Sequence, residues 1–274
     1  MESLINLDGL GDIVVNLTNK LSSGVGWIAN RETPKKLAVN SFIEDIKARD
    51  LDPVTKAALV SNAEKIIKEY CNQHDIVKIA ISSLQADAKP ERIDNDWLEQ
   101  FMDKARLVSS AEFKLIWGNI LARECNRPGS IPRSLLHTLE EMDKEDAETF
   151  TTLCKMSIEF EEYHAPVVIA SRFDEYKQFG LTFDGLVNLK ALGLIEVDFD
   201  PMRDSVYLIE GENVSSKVVY FDMEYELSGK KSIPVGNVIF TKTGEALIRA
   251  IAVDKIDDFW EKYCLPFWKK QLQS

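Results

Sequence analysis

Cys71 and His74 stand three residues apart on a stretch with helical spacing, a separation that can bring a thiolate and an imidazole to one metal ion. A tetrahedral site needs two more ligands and none is evident, so ordinary packing is the expected role of both. Arg133 and His137 share a helix face and could together address a phosphodiester, but they lack a companion set of polar residues, and a surface pair is expected instead. Asp96, Arg106, Arg123 and Glu124 flank apolar helix positions, where they could gather as a carboxylate metal site or as an internal ion-pair network. Mutual neutralisation is the preferred reading, because paired charges at a helix interface need no ligand. No serine or cysteine has an assignable base, and no Gly-x-x-x-x-Gly-Lys loop is present. No catalytic, cofactor-binding or metal residue is therefore expected, and the chain reads as a non-enzyme.

The elements that would hold these residues are mostly helices. Leu10, Ile13, Val14, Leu17, Leu21, Val25 and Ile28 recur at steps of three and four, with Asp12, Asn16, Asn19 and Lys20 opposite them. Gly24, Gly26 and Pro34 bracket Trp27 and predict a break near residues 31–34. Helical spacing resumes over residues 36–84, interrupted at Asp52-Pro53, where the aspartate suits a cap and the proline a first turn. Two helices are expected over 96–125, the second opened by a capping box of Ser109 with Glu112 and stopped by Pro128-Gly129.

After about Ala165 the pattern changes. Thr182 caps a short helix that ends at Gly193; Ile195, Val197 and Phe199 then alternate as a strand, and a second strand is expected over 205–209. Residues 219–227 show a period of two over one nine-residue strand, and Val238 to Phe240 leads into a helix over 243–251. This layout resembles a winged helix. The helix that would meet DNA carries Asp184 against a single Lys190, and the excursion after it is rich in acids, so a protein-binding or purely structural wing is expected.

Composition narrows the function further. A formal charge of −12 and a pI near 4.9 repel phosphate backbones and anionic lipid, and the longest basic runs are pairs, so general nucleic-acid binding is disfavoured. Four scattered cysteines lack the spacing of a disulfide framework, and no window reaches the roughly 18 to 20 apolar residues of a spanning helix. A cytoplasmic setting is expected.

The block from Asp96-Trp97 through Phe101, Arg106, Val108-Ser109, Trp117, Ile120-Leu121-Ala122, Glu124 and Pro128-Gly129-Ser130 to Asp146-Ala147 and Phe150 resembles a bacterial family of domains of unknown function. Gly24, Gly26 and Trp27 match that family's Gly-x-Gly-Trp-like element, and Thr241 with Gly244 its Thr-x-x-Gly. Ile131-Pro132 departs from it where a serine-bearing turn is expected. The resemblance implies a bacterial or phage origin, a cytosolic setting and a place in phage-defence loci, and it implies no reaction.

The expectation is an α+β chain, predominantly α, with an N-terminal helical bundle followed by a winged-helix-like domain. Its parts are an amphipathic element over 1–34, a helical domain over 35–160, a winged-helix-like domain over 165–255 and an aromatic tail over 256–274. The expected role is a non-enzymatic adaptor acting through protein contacts, with homo-oligomers as one form. The alternatives are a membrane-active effector that releases its N-terminal helix and a nuclease or hydrolase with an unrecognised site. Interaction candidates are the stripe Leu10, Ile13, Val14, Leu17, Leu21, Val25, Trp27 and Ile28, and the aromatics Phe259, Trp260, Phe267 and Trp268.

Overall fold

The computed structural model describes residues 10–27, 36–200, 202, 207–210, 217–226 and 232–272. The chain is α+β with helices predominating, and it divides into two units, Met1–Leu136 and His137–Ser274.

The first unit holds α1 (Gly11–Val25), α2 (Lys36–Ala48), α3 (Pro53–Ser82), α4 (Asn95–Ala105), α5 (Ala111–Asn126) and the start of α6 (Arg133–Glu141). Asp52 caps α3 as its position predicts, accepting the N–H groups of Val54 and Thr55 at 3.0 Å each, with Pro53 in the first turn. At 30 residues α3 is about 45 Å long, and its second half packs on α5. Gly118 permits that approach: a Cβ there would lie 2.4 Å from Ile79 Cγ2. The cap of α5 is Ser110, which accepts from Phe113 at 3.1 Å, one residue beyond the Ser109 box expected from sequence. The core runs through Leu17, Leu21, Ile76, Leu98, Ile120 and Leu121, with Trp97, Phe101 and Trp117 in a ring stack at 5.1 and 5.0 Å.

The second unit holds the rest of α6 and α7 (Lys144–Lys155), then β1 (Ser157–Phe160), β2 (Tyr163–Pro166), α8 (Phe173–Tyr176), α9 (Phe183–Ala191), β3 (Ile195–Val197), β4 (Tyr207–Glu210), β5 (Lys217–Tyr220), β6 (Met223–Glu226), β7 (Ser232–Gly236), β8 (Val238–Phe240), α10 (Lys242–Ile248) and α11 (Leu265–Leu272). The strands form an antiparallel sheet in the order β2-β1-β5-β6 and two antiparallel pairs, β3 with β8 and β4 with β7. The β-structure starts at Ser157, earlier than the change of pattern near Ala165, and α7 packs on α9, which draws α7 into this unit. The nine-residue strand expected over 219–227 is instead the hairpin of β5 and β6: Phe221 turns the chain with φ of 54°, and Tyr220 faces Met223. Leu227 lies outside the described residues, as do the first residues of the strand expected over 205–209. Periodicity missed the turn because a non-glycine residue occupies the left-handed region, a choice that only tertiary contacts can stabilise.

Candidate functional site

A groove of about 580 Å³ opens in the first unit between the end of α1, α3 and α4. Its geometry starts from two helix faces of equal spacing. Ile66, Glu69, Tyr70 and Gln73 on α3 follow i, i+3, i+4, i+7, and Glu99, Met102, Asp103 and Arg106 at the end of α4 repeat the same steps. Gln73 ties the two together, donating from Nε2 to the Met102 carbonyl at 2.9 Å, and Asn72 donates to the Arg106 carbonyl at 2.9 Å.

Trp27 closes the third side. Gly26 ends α1 with φ of 68°, its N–H returning to Ser22 at 3.0 Å and that of Trp27 to Leu21 at 3.3 Å. This paired closure needs the left-handed residue that glycine supplies cheaply. It delivers the indole onto Tyr70, with ring centroids 5.9 Å apart and planes 17° from parallel. Gly24 is not needed in the same way, since a Cβ there would meet only ordinary contacts, the nearest at 3.5 Å.

The wall is acidic. Arg106 is the one cation in the lining, and it is shared: its Nη1 donates to Glu69 at 2.9 Å and its Nε to Asp103 at 2.8 Å. The Asp103 hydrogen bond, with Glu69 behind it, holds the guanidinium above its ordinary range. Glu99 has no ion partner among the described residues. Ile66, 56% exposed, and Met102 supply the apolar part of the lining.

The residues singled out by spacing are distributed rather than gathered. Arg106 joins Glu69 and Asp103; Asp96 lies 3.5 Å from Arg133, which also donates to Asp94 at 2.7 Å; and Glu124 is turned to backbone instead. Glu124 is 1% exposed and accepts the N–H groups of Gly129 at 2.6 Å and Ile131 at 2.9 Å. Asp96, Arg106 and Glu124 therefore sit with three different sets of partners. Cys71 is half-buried and His74 buried, and no group of three ligating side chains that could hold a metal occurs among the described residues.

Most of the described residues of both interaction stripes are buried in the fold. Ile13, Val14, Leu17 and Leu21 are buried as α1 packs on α4 and on the short turn Pro90–Arg92, while Trp27 lines the groove and Leu10 and Val25 are half-buried. Ile28 lies outside the described residues. Phe259, Trp260, Phe267 and Trp268 are buried; Phe259 and Trp260 pack on Tyr220, and Trp268 packs on Trp260 and Tyr225 and donates its indole N–H to the Pro234 carbonyl at 2.9 Å. A π-helical turn, Trp260–Cys264, runs without a break into α11, so Pro266 is accommodated just past the widened segment.

A second polar cluster, invisible to spacing, lies in the other unit. Glu245 accepts from the His164 backbone at 3.2 Å, meets His164 Nδ1 at 2.7 Å and accepts from Arg249 Nε at 2.7 Å; Arg249 also donates to the Glu162 carbonyl. A carboxylate that orients an imidazole is one part of a general base. Here the same carboxylate also holds a guanidinium, and no hydroxyl or thiol is hydrogen-bonded to the ring among the described residues. The cluster ties the β1–β2 turn to α10. Elsewhere in this unit, Phe183 and Val187 of α9 are exposed, with the Phe199 ring tilted against that of Phe183 at 4.4 Å.

Among the described residues no helix is long and apolar enough to cross a membrane. Residues 59–263, well over half of the chain, match the family model described as protein of unknown function (DUF2806). No curated protein and no solved structure matches the chain.

Proposed function

We propose, for a chain that belongs to this family of unknown function, that it is a non-enzymatic recognition protein whose first unit binds a partner protein in the groove of α1, α3 and α4. The observation that carries this is the lining itself: a stacked indole and phenol, an exposed isoleucine and a rim of carboxylates, without a nucleophile beside a base. Its volume falls in the range of sites that seat a few side chains, and aromatic anchors with a polar rim are the usual make-up of a recognition hot spot.

We also infer a winged-helix-like arrangement for α9, β3, β8 and α10. It is supported by the antiparallel β3–β8 pair between the two helices and by Thr241, whose N–H reaches the Leu194 carbonyl at 3.0 Å. The exposed face of α9 carries Phe183 and Val187, and Lys190 lies 3.5 Å from Glu196, so this helix suits a protein surface better than a phosphate backbone.

The test is a photo-cross-linking amino acid at position 66 in the chain expressed in its own host, with Leu115 as an exposed control on α5. A defined partner cross-linked from position 66 and not from 115, whose binding to the purified chain is lost in Ile66→Arg while the melting temperature moves by no more than a degree or two, is the expected result. That small thermal effect follows from the exposure of Ile66. Absence of any cross-link from position 66, or equal capture from both positions, would contradict the reading.

A further inference from the structure

We infer that the groove selects a cationic side chain, an arginine or lysine presented by the partner protein between apolar neighbours. The inference rests on the recognition reading above and names the chemistry of its occupant.

Charge decides the sign. Glu69, Glu99 and Asp103 line the groove; Arg106 is divided between Glu69 and Asp103, and the exposed Lys65 ammonium lies 3.9 Å from Glu69 alone, so the uncompensated charge is that of Glu99 and the outer oxygen of Asp103. Glu99 has no ion partner among the described residues, and Asp103, with its side chain 68% exposed, keeps an oxygen beyond the one that Arg106 Nε reaches. An anionic ligand would meet net repulsion. A neutral apolar one would cover carboxylates without replacing their water, which costs more than its own burial returns. A cation resolves both, and Arg106 shows that these carboxylates hold a guanidinium at 2.8 to 2.9 Å.

The aromatic wall adds direction. Trp27, 7% exposed, and the half-buried Tyr70 lie nearly parallel in the lining, and a guanidinium or ammonium within about 6 Å of such a ring centroid is attracted to its face. Ile66, exposed on the groove, offers an apolar bed for the methylene stem of the same side chain. The three features therefore match the three parts of one long basic residue: stem, charged head and flat face. Metal binding is a poor rival, because no cluster of three ligating side chains occurs among the described residues.

The test uses the full chain labelled with ¹⁵N, following the indole N–H signal of Trp27, assigned with Trp27→Phe. Three five-residue probe peptides, Gly-Leu-Xaa-Leu-Gly with blocked ends, carry arginine, citrulline or glutamate at the centre. Citrulline keeps the shape of arginine and lacks its charge. The arginine peptide is expected to shift the Trp27 signal saturably, the citrulline peptide to bind about tenfold more weakly or worse, and the glutamate peptide to give no shift. Glu99→Gln, a change at an exposed residue, should weaken the arginine peptide without altering the melt, and adding Asp103→Asn should weaken it further.

Equal binding of arginine and citrulline peptides, preference for glutamate, or no shift of Trp27 with any peptide would overturn the cation inference. If position 66 nevertheless cross-links a partner, the protein-recognition reading survives that failure. A saturating arginine peptide with no cross-linked partner would instead sink the recognition reading and leave a cation site.

Discussion

Replacing Glu124 by alanine is expected to lower the thermal midpoint of the first unit by on the order of 10 °C, the largest effect of any polar substitution in that unit. The carboxylate is fully enclosed and closes the loop that follows α5: Gly129 and Ile131 donate to its two oxygens, while the Ser130 N–H between them returns to the Arg127 carbonyl at 3.0 Å. Alanine would remove the acceptor of both N–H groups, leave the buried one of Ile131 without a partner and open a hole where the enclosed side chain stood, at a cost of about 3 kcal/mol. Glutamine keeps one acceptor oxygen and should fall in between. Differential scanning calorimetry or circular dichroism would measure both. If Glu124→Ala abolished function with an unchanged melt, a catalytic carboxylate would be the better account of this residue.

The same carboxyl carries a pH signature. Burial pushes its pKa up from the ordinary 4.5, and the N–H donors only partly pull it back. Above the raised native value the residue is charged in both states. As pH falls through that value toward 4.5 the folded state binds the proton first, so the wild type gains stability there relative to Glu124→Gln. Chemical denaturation of the two proteins at several values between pH 7 and pH 4 would detect the trend, and a gap that stays constant or moves the other way would contradict it.

The second large effect is expected at Gly244, where alanine should cost about 3 kcal/mol by overpacking. A Cβ there would lie 2.0 Å from the Leu194 carbonyl oxygen and 3.1 Å from both the Leu194 carbonyl carbon and Phe240 Cδ1. That carbonyl cannot simply retreat, because it accepts the Thr241 N–H at 3.0 Å, while Thr241 Oγ1 donates to the Gly193 carbonyl at 2.6 Å and caps α10 by accepting from Gly244 at 3.2 Å. Gly11→Ala is the control: nothing lies within 4 Å of its Cβ position and its φ is not in the left-handed range, so a neutral or slightly stabilising change is expected. Equal melts for Gly244→Ala and the wild type would show that this close approach is not a constraint.

Both sites lie in motifs that were legible as patterns before their reasons were. Thr-x-x-Gly is a cap and a point of backbone contact, and Glu124 with Pro128-Gly129-Ser130 is a carboxylate and the loop folded over it. Spacing suggested an ion-pair network for Glu124, but its partners are backbone N–H groups, which have no sequence signature. The groove was half legible. Trp27, Tyr70 and Arg106 could each be noticed in the sequence, and the matching stripes at 66, 69, 70, 73 and 99, 102, 103, 106 were there to be counted. Nothing local says that the two stripes face each other.

What the sequence determined by itself is the set of short-range choices: helices from three-and-four periodicity, starts at Asp52 and Thr182, an end at Gly193, and a negative field that disfavours phosphate; the end of α1 at Gly26, ahead of the break expected near residues 31–34, came from the structure. Each of those short-range choices is settled by side chains within about one helical turn, or by a sum over the whole composition. Tertiary structure alone decided which apolar stripes would be consumed. Most of the α1 stripe is buried on α4, and the C-terminal aromatics are buried within the second unit, while Ile66 of α3 and Glu99 and Asp103 of α4 stayed exposed along the groove. Burial is a competition among all apolar surfaces of a unit, so the strongest stripes win the core, and what remains exposed depends on how the winners pack.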